Sequence, residues 1–524
     1  MLPILFVGGL CSVLPYFSPL VTRLALLLAF LSVCLAAPAR AQSTPEALAS
    51  AIDAIIDDPD FDDAFWGVHV VNLDTGDTLY ARNAQKNFIP ASNQKLFSTA
   101  AALDGLGPDF RYTTTLYLDG TVRDSVLEGN LVVRGSGDPS IGGRLFEEDY
   151  PTDDDPTALF RAWADSLKTL GITYVTDHVI GDDDIFDDTE LGNGWAWDDV
   201  PSIYAAEIGG LSFNEGRIVV TAEGTSPGRV ATLSWEPGDT DYVYFINKTE
   251  TVTAREGRDR EVRRERGGNV FWIESEVPSG QRLRHSLSVH NPTRYFAHVL
   301  RGTLRTEGVY VDGDPVDIDD WRTKPDYSRL VPVASHTSRP LADLAALTNK
   351  ESQNLYAEHL LKTLGAVKCP PDRPDDVECG SAEAGLLAAE PLFERAGLDL
   401  ERMRLRDGSG MTPYNMIAPE DVTALLRTMW VHPDPAVTDA FVNSLAVGGE
   451  DGTLNYRMRN GWARGNVRAK TGTVTGAKNL SGYVTTAGGE TLAFALLVNN
   501  FGTSSRRVVR AQDAIVEALA RYGG

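Results

Sequence analysis

The feature that most constrains this chain is a hydrophobic period that changes twice along its length. Residues 43–57 carry helical spacing, and "FWGVHVVNLDTGDTLYARN" alternates on both sides of Asp-Thr-Gly-Asp, which predicts two strands joined by a tight turn. An Ala/Leu-rich run behind Ser92 predicts a helix. From about residue 104 the pattern becomes short β-branched runs broken by Gly, Asp and Pro, such as "NLVVRGSGDPSI", "RIVVTAEG" and "YVYFIN". One helical segment, "PTALFRAWADSLKTLG", interrupts them. Helical spacing returns at "RPLADLAALTNKESQNLYAEHLLKTLG" and runs through "SAEAGLLAAEPLFERAG" and "APEDVTALLRTMW". Two or three antiparallel strands are then predicted in "VRAKTGTVTGAKNLSGYVTTAGGETLAFALLVNNF", before a closing helix in "SSRRVVRAQDAIVEALARYG". The expected class is α/β in the α+β sense. Residues 42–103 and 335–524 form two parts of one body, and 104–334 form a β-rich insert of one or two modules.

Residues 1–41 read as a targeting segment. Arg23 precedes an apolar run that ends in Ala39-Arg40-Ala41, which places secretory cleavage before Gln42. An uncleaved anchor is the alternative, and a peripheral contact with a membrane stays open. The apolar stretch before Arg23 lacks a positive leader, so translation could begin after Met1. The net charge of −25 argues against a nucleic-acid partner, because phosphate binding needs a basic face. Cys369 and Cys379 bracket the polar loop "PPDRPDDVE"; in an exported protein they are expected to form a disulfide, with two free thiols as the alternative.

Candidate chemistry begins with Ser92 and Lys95, which share a helix face at i, i+3 spacing. A serine hydroxyl is a poor nucleophile until a neighbour takes its proton, and an ammonium cannot do so. Lys95 therefore has to be neutral, which burial or a second cation would favour. The competing reading is a helix-capping serine and a solvated lysine. Near the C-terminus, Lys470-Thr471-Gly472-Thr473 lies in an alternating run. A strand edge there can offer an N–H to an oxyanion and hydroxyls to a carboxylate, while Gly472 leaves room for a ligand and Lys470 could be the second cation. A bulge glycine and a surface lysine are the plain alternative. A Ser-x-Asn occurs at 212–214 and at 352–354. The second, Ser352 and Asn354, lies between two helical runs and can point into a cleft, so it is preferred.

In that order, Ser-x-x-Lys, Ser-x-Asn and Lys-Thr-Gly resemble the penicillin-recognising serine enzymes. More narrowly, the chain resembles the D-alanyl-D-alanine carboxypeptidase/endopeptidase family of class C low-molecular-mass penicillin-binding proteins. The resemblance rests on "PASNQKL", "GNLVVRGSGDPSI", "GWAWDDV", "LSFNEG", "NKESQNLYAEHLL", "RDGSGMTPYN", "AVGGEDGTLNYRM" and "KTGTVTGAKNLSGYV", and it covers nearly all of the mature chain. It implies a transpeptidase-like antiparallel sheet flanked by helices, with a helical subdomain and a large insert. It further implies that Ser92 is the acylated nucleophile, Lys95 its base, and Ser352 a proton relay to the leaving amine. Asn354 would bind the substrate amide, Lys470 would set the potential, and Thr471 and Thr473 would meet the terminal carboxylate. The backbone N–H groups of Ser92 and Thr473 would form the oxyanion hole. The implied partners are peptidoglycan stem peptides and β-lactams, in a periplasmic setting and with no cofactor.

The chain departs from the family pattern at Met411-Thr412-Pro413, where Leu-Ser-Arg is commoner, and Gln353 replaces an Asp found in many relatives outside the family. A serine β-lactamase is the nearest alternative, but no Glu-x-x-Leu-Asn follows the Ser-x-Asn. A non-catalytic wall-binding protein is the other. Acidic runs at 182–184 and 187–188 read as solvated turns, "AREGRDREVRRERGG" as a solvated hairpin or loop, and the eight histidines show no metal-ligand spacing. Oligomeric state is not legible.

Overall fold

A computed structural model describes residues 44–143, 155–237, 240–253 and 260–523. The targeting segment lies outside the described residues. Among those described, no helix is long and apolar enough to cross a membrane.

The body is built around six antiparallel strands. Along the chain its elements are α1 (Pro45–Ile56), β1 (Phe65–Asn72), β2 (Thr78–Arg82), α2 (Gln94–Leu106), α3 (Leu341–Lys350), α4 (Asn354–Val367) and α5 (Ala382–Arg395). After these come α6 (Pro419–Trp430), α7 (Pro435–Ser444), β3 (Ala446–Val447), β4 (Arg468–Val474), β5 (Ala477–Thr485), β6 (Thr491–Asn499) and α8 (Ser505–Arg521). The sheet order is β3-β4-β5-β6-β1-β2, so the two ends of the chain meet where β6 pairs with β1.

Strand β6 shows why the sheet is covered on both sides. Leu492, Phe494, Leu496 and Val498 pack with Leu48, Ile52, Val508, Ile515 and Leu519 of α1 and α8. The alternate residues Ala493, Ala495 and Leu497 pack with Leu96, Phe97 and Leu425 of α2 and α6. Period-two alternation with both sets apolar is the signature of a strand buried on two faces.

The insert leaves the body after Tyr112 and returns at Ser338. These two residues are tied by Tyr112 N–H to Ser338 Oγ at 2.9 Å and by Ser338 N–H to the Tyr112 carbonyl at 3.0 Å. Its main sheet begins with Thr113–Arg123 and ends with Val331–Thr337, which pair with each other. Two smaller sheets lie between them in sequence.

Several expectations need correction. The insert contains a second helix, Pro292–Thr306, in addition to Ala158–Thr169. Its helical period is plain, with Tyr295, Phe296, Val299, Leu300 and Leu304 buried at helical spacing, and Asn291 caps it with Pro292 at the first turn. The arginine-rich stretch is not wholly solvated. Arg260–Arg264 is a strand, and Arg264 is buried against Glu207; residues 254–259 lie outside those described. Nor are the acidic runs simple turns: Asp182 is buried on Tyr327, Asp183 accepts from Thr293, and Asp187 pairs with the buried Lys362. The expected disulfide Cys369–Cys379 is present, with a Cα–Cα distance of 5.4 Å.

Candidate active site

Ser92 sits in a single 3-10 turn, Ala91–Asn93, that leads directly into α2. The helix has no side-chain cap, so Ser92 is not spent on capping. Ala91 before it has φ 46°, a left-handed conformation that is costly for a residue with a Cβ and tends to persist where surrounding structure enforces it. Strands β4 and β5 hold the turn from one side. Asn93 Nδ2 donates to the Lys470 carbonyl at 2.9 Å, and Ser481 Oγ donates to Asn93 Oδ1 at 2.7 Å. A Cβ on Gly472 would come within 2.7 Å of the Pro90 carbonyl. The room this glycine leaves is therefore taken by the chain's own turn, where sequence reading had assigned it to a ligand.

Lys95, one turn on, is fully buried. Its Nζ lies 3.0 Å from Ser92 Oγ, 2.6 Å from Asn354 Oδ1 and 2.7 Å from the Ser409 carbonyl. Burial drives its pKa down to about 7, against the opposing pull of the Asp407 and Glu358 carboxylates. Lys470, also fully buried, places Nζ 2.9 Å from Ser352 Oγ and 2.8 Å from the Thr471 carbonyl. Burial, then the charge of Lys95, holds Lys470 well below the usual lysine range. Expectation cast Lys470 as the cation that depresses Lys95; desolvation is the leading cause at Lys95, and the cationic influence falls on Lys470.

Ser352 lies in the tight link between α3 and α4, and Asn354 is the first residue of α4. Ser352 has φ 60°, a second left-handed residue at the site. Asn354 Nδ2 donates to the Tyr204 carbonyl of the insert at 2.7 Å. Thr471 Oγ1 donates to Thr453 Oγ1 at 2.9 Å, and exposed Thr473 accepts from Lys478 Nζ at 2.8 Å. Strand β3 pairs only with Arg468 and Ala469, so the β4 edge from Lys470 to Thr473 has no strand beside it among the described residues. Ser212 and Asn214 of the rejected Ser-x-Asn are buried in the insert, where Asn214 is occupied by Arg217.

Sequence reading gave no role to the group behind Lys95. Glu358, buried in α4, accepts the Gly408 and Ser409 N–H groups at 2.9 and 2.8 Å, and burial followed by the Asp407 charge lifts it to about 7. Asp407 accepts from the N–H groups of Gly410 and Thr412, from Asn415 Nδ2 and from Trp195 Nε1. Together they shape the loop that presents the Ser409 carbonyl. The only signal for these groups was their place inside "NLYAEHLL", "RDGSG" and "GWAWDDV".

A family model described as the D-Ala-D-Ala carboxypeptidase 3 (S13) family matches residues 48–522. The D-alanyl-D-alanine carboxypeptidase of Actinomadura sp. (strain R39) is 32% identical over 485 residues, covering 90% of this chain and 84% of the relative. The D-alanyl-D-alanine carboxypeptidase DacB of Haemophilus influenzae is 25% identical over 447 residues, covering 82% and 85%. The crystal structure of penicillin binding protein 4 (dacB) from Haemophilus influenzae superposes with a TM-score of 0.75 at 23% identity, covering 90% of this chain and 99% of that one. The chain belongs to the D-Ala-D-Ala carboxypeptidase 3 (S13) family.

Proposed function

We propose that this protein is an exported serine DD-peptidase that removes terminal D-alanine from peptidoglycan stem peptides through an acyl-enzyme on Ser92, and that β-lactams acylate the same hydroxyl. The observation that carries this reading is the environment of the Lys95 amine. A neutral amine has two N–H groups and one lone pair. Asn354 Oδ1 at 2.6 Å and the Ser409 carbonyl at 2.7 Å can only accept, so they take the two N–H groups. The lone pair is left facing the Ser92 hydroxyl at 3.0 Å, within reach for proton abstraction. With a pKa of about 7, a substantial fraction of Lys95 is in this form at neutral pH.

In the proposed cycle, Ser92 Oγ attacks the penultimate D-alanine carbonyl as Lys95 takes its proton. The Ser92 and Thr473 N–H groups stabilise the oxyanion, a contribution of about 3 kcal/mol per donor in comparable sites. The proton that Lys95 took passes by way of Ser352, with Lys470 behind it, to the departing amine, which leaves Lys95 neutral again. Asn354 orients the substrate amide, and Thr471 and Thr473 receive the terminal carboxylate beside Lys470 and Gly472. The unpaired β4 edge offers main-chain groups to an extended peptide. Water then attacks the ester, with Lys95 again as base, and frees Ser92.

The leader pattern and the disulfide support a periplasmic location. The mature chain up to Tyr112 together with the chain from Ser338 on is proposed as the catalytic domain and the segment between them as the inserted one, which moves the boundaries expected at 104 and 334. The test pairs Ser92→Ala with the wild type, measuring covalent labelling by a fluorescent penicillin and D-alanine release from a synthetic acyl-D-Ala-D-Ala peptide. Both activities are expected in the wild type and neither in the variant; labelling that persists in the variant would refute the reading.

A further inference from the structure

We propose that the inserted segment Gly192–Ala206 is a positioning element for Lys95, acting through the Trp195 indole on Asp407 and through the Tyr204 carbonyl on Asn354. The proposal rests on Lys95 being the general base, as argued above.

Lys95 has two obligate acceptors, and the same stretch of insert fixes the far side of each. Asn354 gives Oδ1 to Lys95 and donates Nδ2 to the Tyr204 carbonyl at 2.7 Å, so its amide plane is held at both ends. The Ser409 carbonyl belongs to a loop organised by Asp407. Asp407 Oδ1 takes Gly410 N–H and Asn415 Nδ2 at 2.8 and 2.6 Å, and its Oδ2 takes Thr412 N–H at 2.9 Å and Trp195 Nε1 at 3.0 Å. Among the described residues, Trp195 is thus the one donor to that carboxylate that comes from outside the 407–415 loop.

The contact is built into the segment. A Cβ on Gly192 would lie 2.2 Å from Trp195 Nε1, so only glycine lets the indole lie against this backbone. Gly194, at φ 83°, brings the chain so close to the Tyr414 ring that a Cβ would sit 2.4 Å from it. The indole packs with Phe186, Ile208 and Leu355, the last adjacent to Asn354. At its far end the segment runs into buried Glu207, which is paired with Arg264 and accepts from Asn291 N–H inside the insert. The insert therefore reaches the amine through two separate routes that end on the same nitrogen.

Two charged groups act on that nitrogen, Asp407 and Glu358, and both favour its protonation; the influence between the two amines falls on Lys470. Removing the indole N–H leaves the Asp407 charge less satisfied, so it bears more strongly on Lys95 and favours the ammonium. The measurement is the second-order rate of acylation by benzylpenicillin in the full chain from pH 5 to 9. It compares the wild type, Trp195→Phe, which keeps a ring without the donor, and Trp195→Gln, which keeps a donor without the ring. The phenylalanine variant should move the acid-limb midpoint up by about half a pH unit, roughly a threefold slower reaction at pH 6, while glutamine stays near the wild type.

An unmoved midpoint in the phenylalanine variant, beside a wild type that titrates near pH 7, would overturn the proposal and leave the base assignment intact. A wild-type profile flat through pH 7 would instead remove the base assignment itself. If Trp195→Phe gives no cooperative melt, the glutamine variant decides: a wild-type midpoint supports the hydrogen-bonded role, and a displaced one overturns it.

Discussion

The site contains two serine–lysine pairs, and they differ in almost everything except their contact distance. Ser92 and Lys95 are one helical turn apart and 3.0 Å in contact; Ser352 and Lys470 are 118 residues apart and 2.9 Å in contact. Both amines are fully buried, so both lose the solvation that keeps an ordinary lysine charged. The difference lies in what stands behind them. Lys95 has two carboxylates, Asp407 and Glu358, which restrain its fall to about 7. Lys470 has Lys95 itself, whose charge pushes it further from the usual range. The lesson is that burial makes an amine available as a base, and the carboxylates around it set the pH at which it becomes one.

The largest effects should separate the two serines. Ser92→Ala is expected to abolish acylation, a loss of at least about 10⁴-fold, whereas Ser352→Ala should slow it by roughly 10²-fold and leave a mass shift of one β-lactam detectable. Intact-protein mass spectrometry after timed exposure to benzylpenicillin checks both. Equal losses would mean that the two pairs act as one unit.

Next come the lysines. Lys95→Met should cost about 10³-fold in acylation, within the range of a lost general base. It should also stabilise the fold. Between about pH 7 and 10.5 the unfolded chain holds the Lys95 proton and the folded chain does not, so stability rises with pH there and the penalty is fully present below pH 7. At pH 6 that penalty is on the order of 5 kcal/mol, against about 4 kcal/mol for orphaning both Asn354 Oδ1 and the Ser409 carbonyl, at about 2 kcal/mol each. Calorimetry at pH 6 should therefore show a melting temperature higher than that of the wild type; a lower one would mean that the folded state does not disfavour the ammonium.

The smallest effect sharpens the contrast most. Glu358, lifted to about 7, carries only part of a charge on the acid limb of the acylation profile, so Glu358→Gln should move that limb to lower pH by less than about half a unit. Stopped-flow rates across pH 5–8 would reveal it, and an upward move would contradict the assigned sign.

The same contrast explains what was legible in the sequence. Ser92 and Lys95 could be read directly because their partnership is local, a matter of helix geometry. Lys470 and Ser352 could be found only through the order of motifs, since nothing in either segment announces the other. Strands β1, β4, β5 and β6 were readable from alternation; the helix Pro292–Thr306 carries its signal too, in Asn291-Pro292 and the helical spacing behind it, but strands surround it in sequence. The carboxylates Glu358 and Asp407 looked like ordinary polar residues, because their effect depends on burial that only tertiary packing creates. Trp195 and Tyr204 were more remote still, lying in an insert whose relation to the cleft no local pattern records. Arg264, expected in solvent, is buried because Glu207 lies across from it.

The central claim is that a neutral Lys95 activates Ser92. The most direct measurement is the pH dependence of wild-type acylation by benzylpenicillin, followed as a second-order rate from pH 5 to 9. The rate should climb about tenfold per pH unit on the acid side and level off above a midpoint near 7, matching the amine's depressed pKa. A rate that is constant across that range, or one that rises only above pH 9 as an ordinary lysine loses its proton, would contradict it.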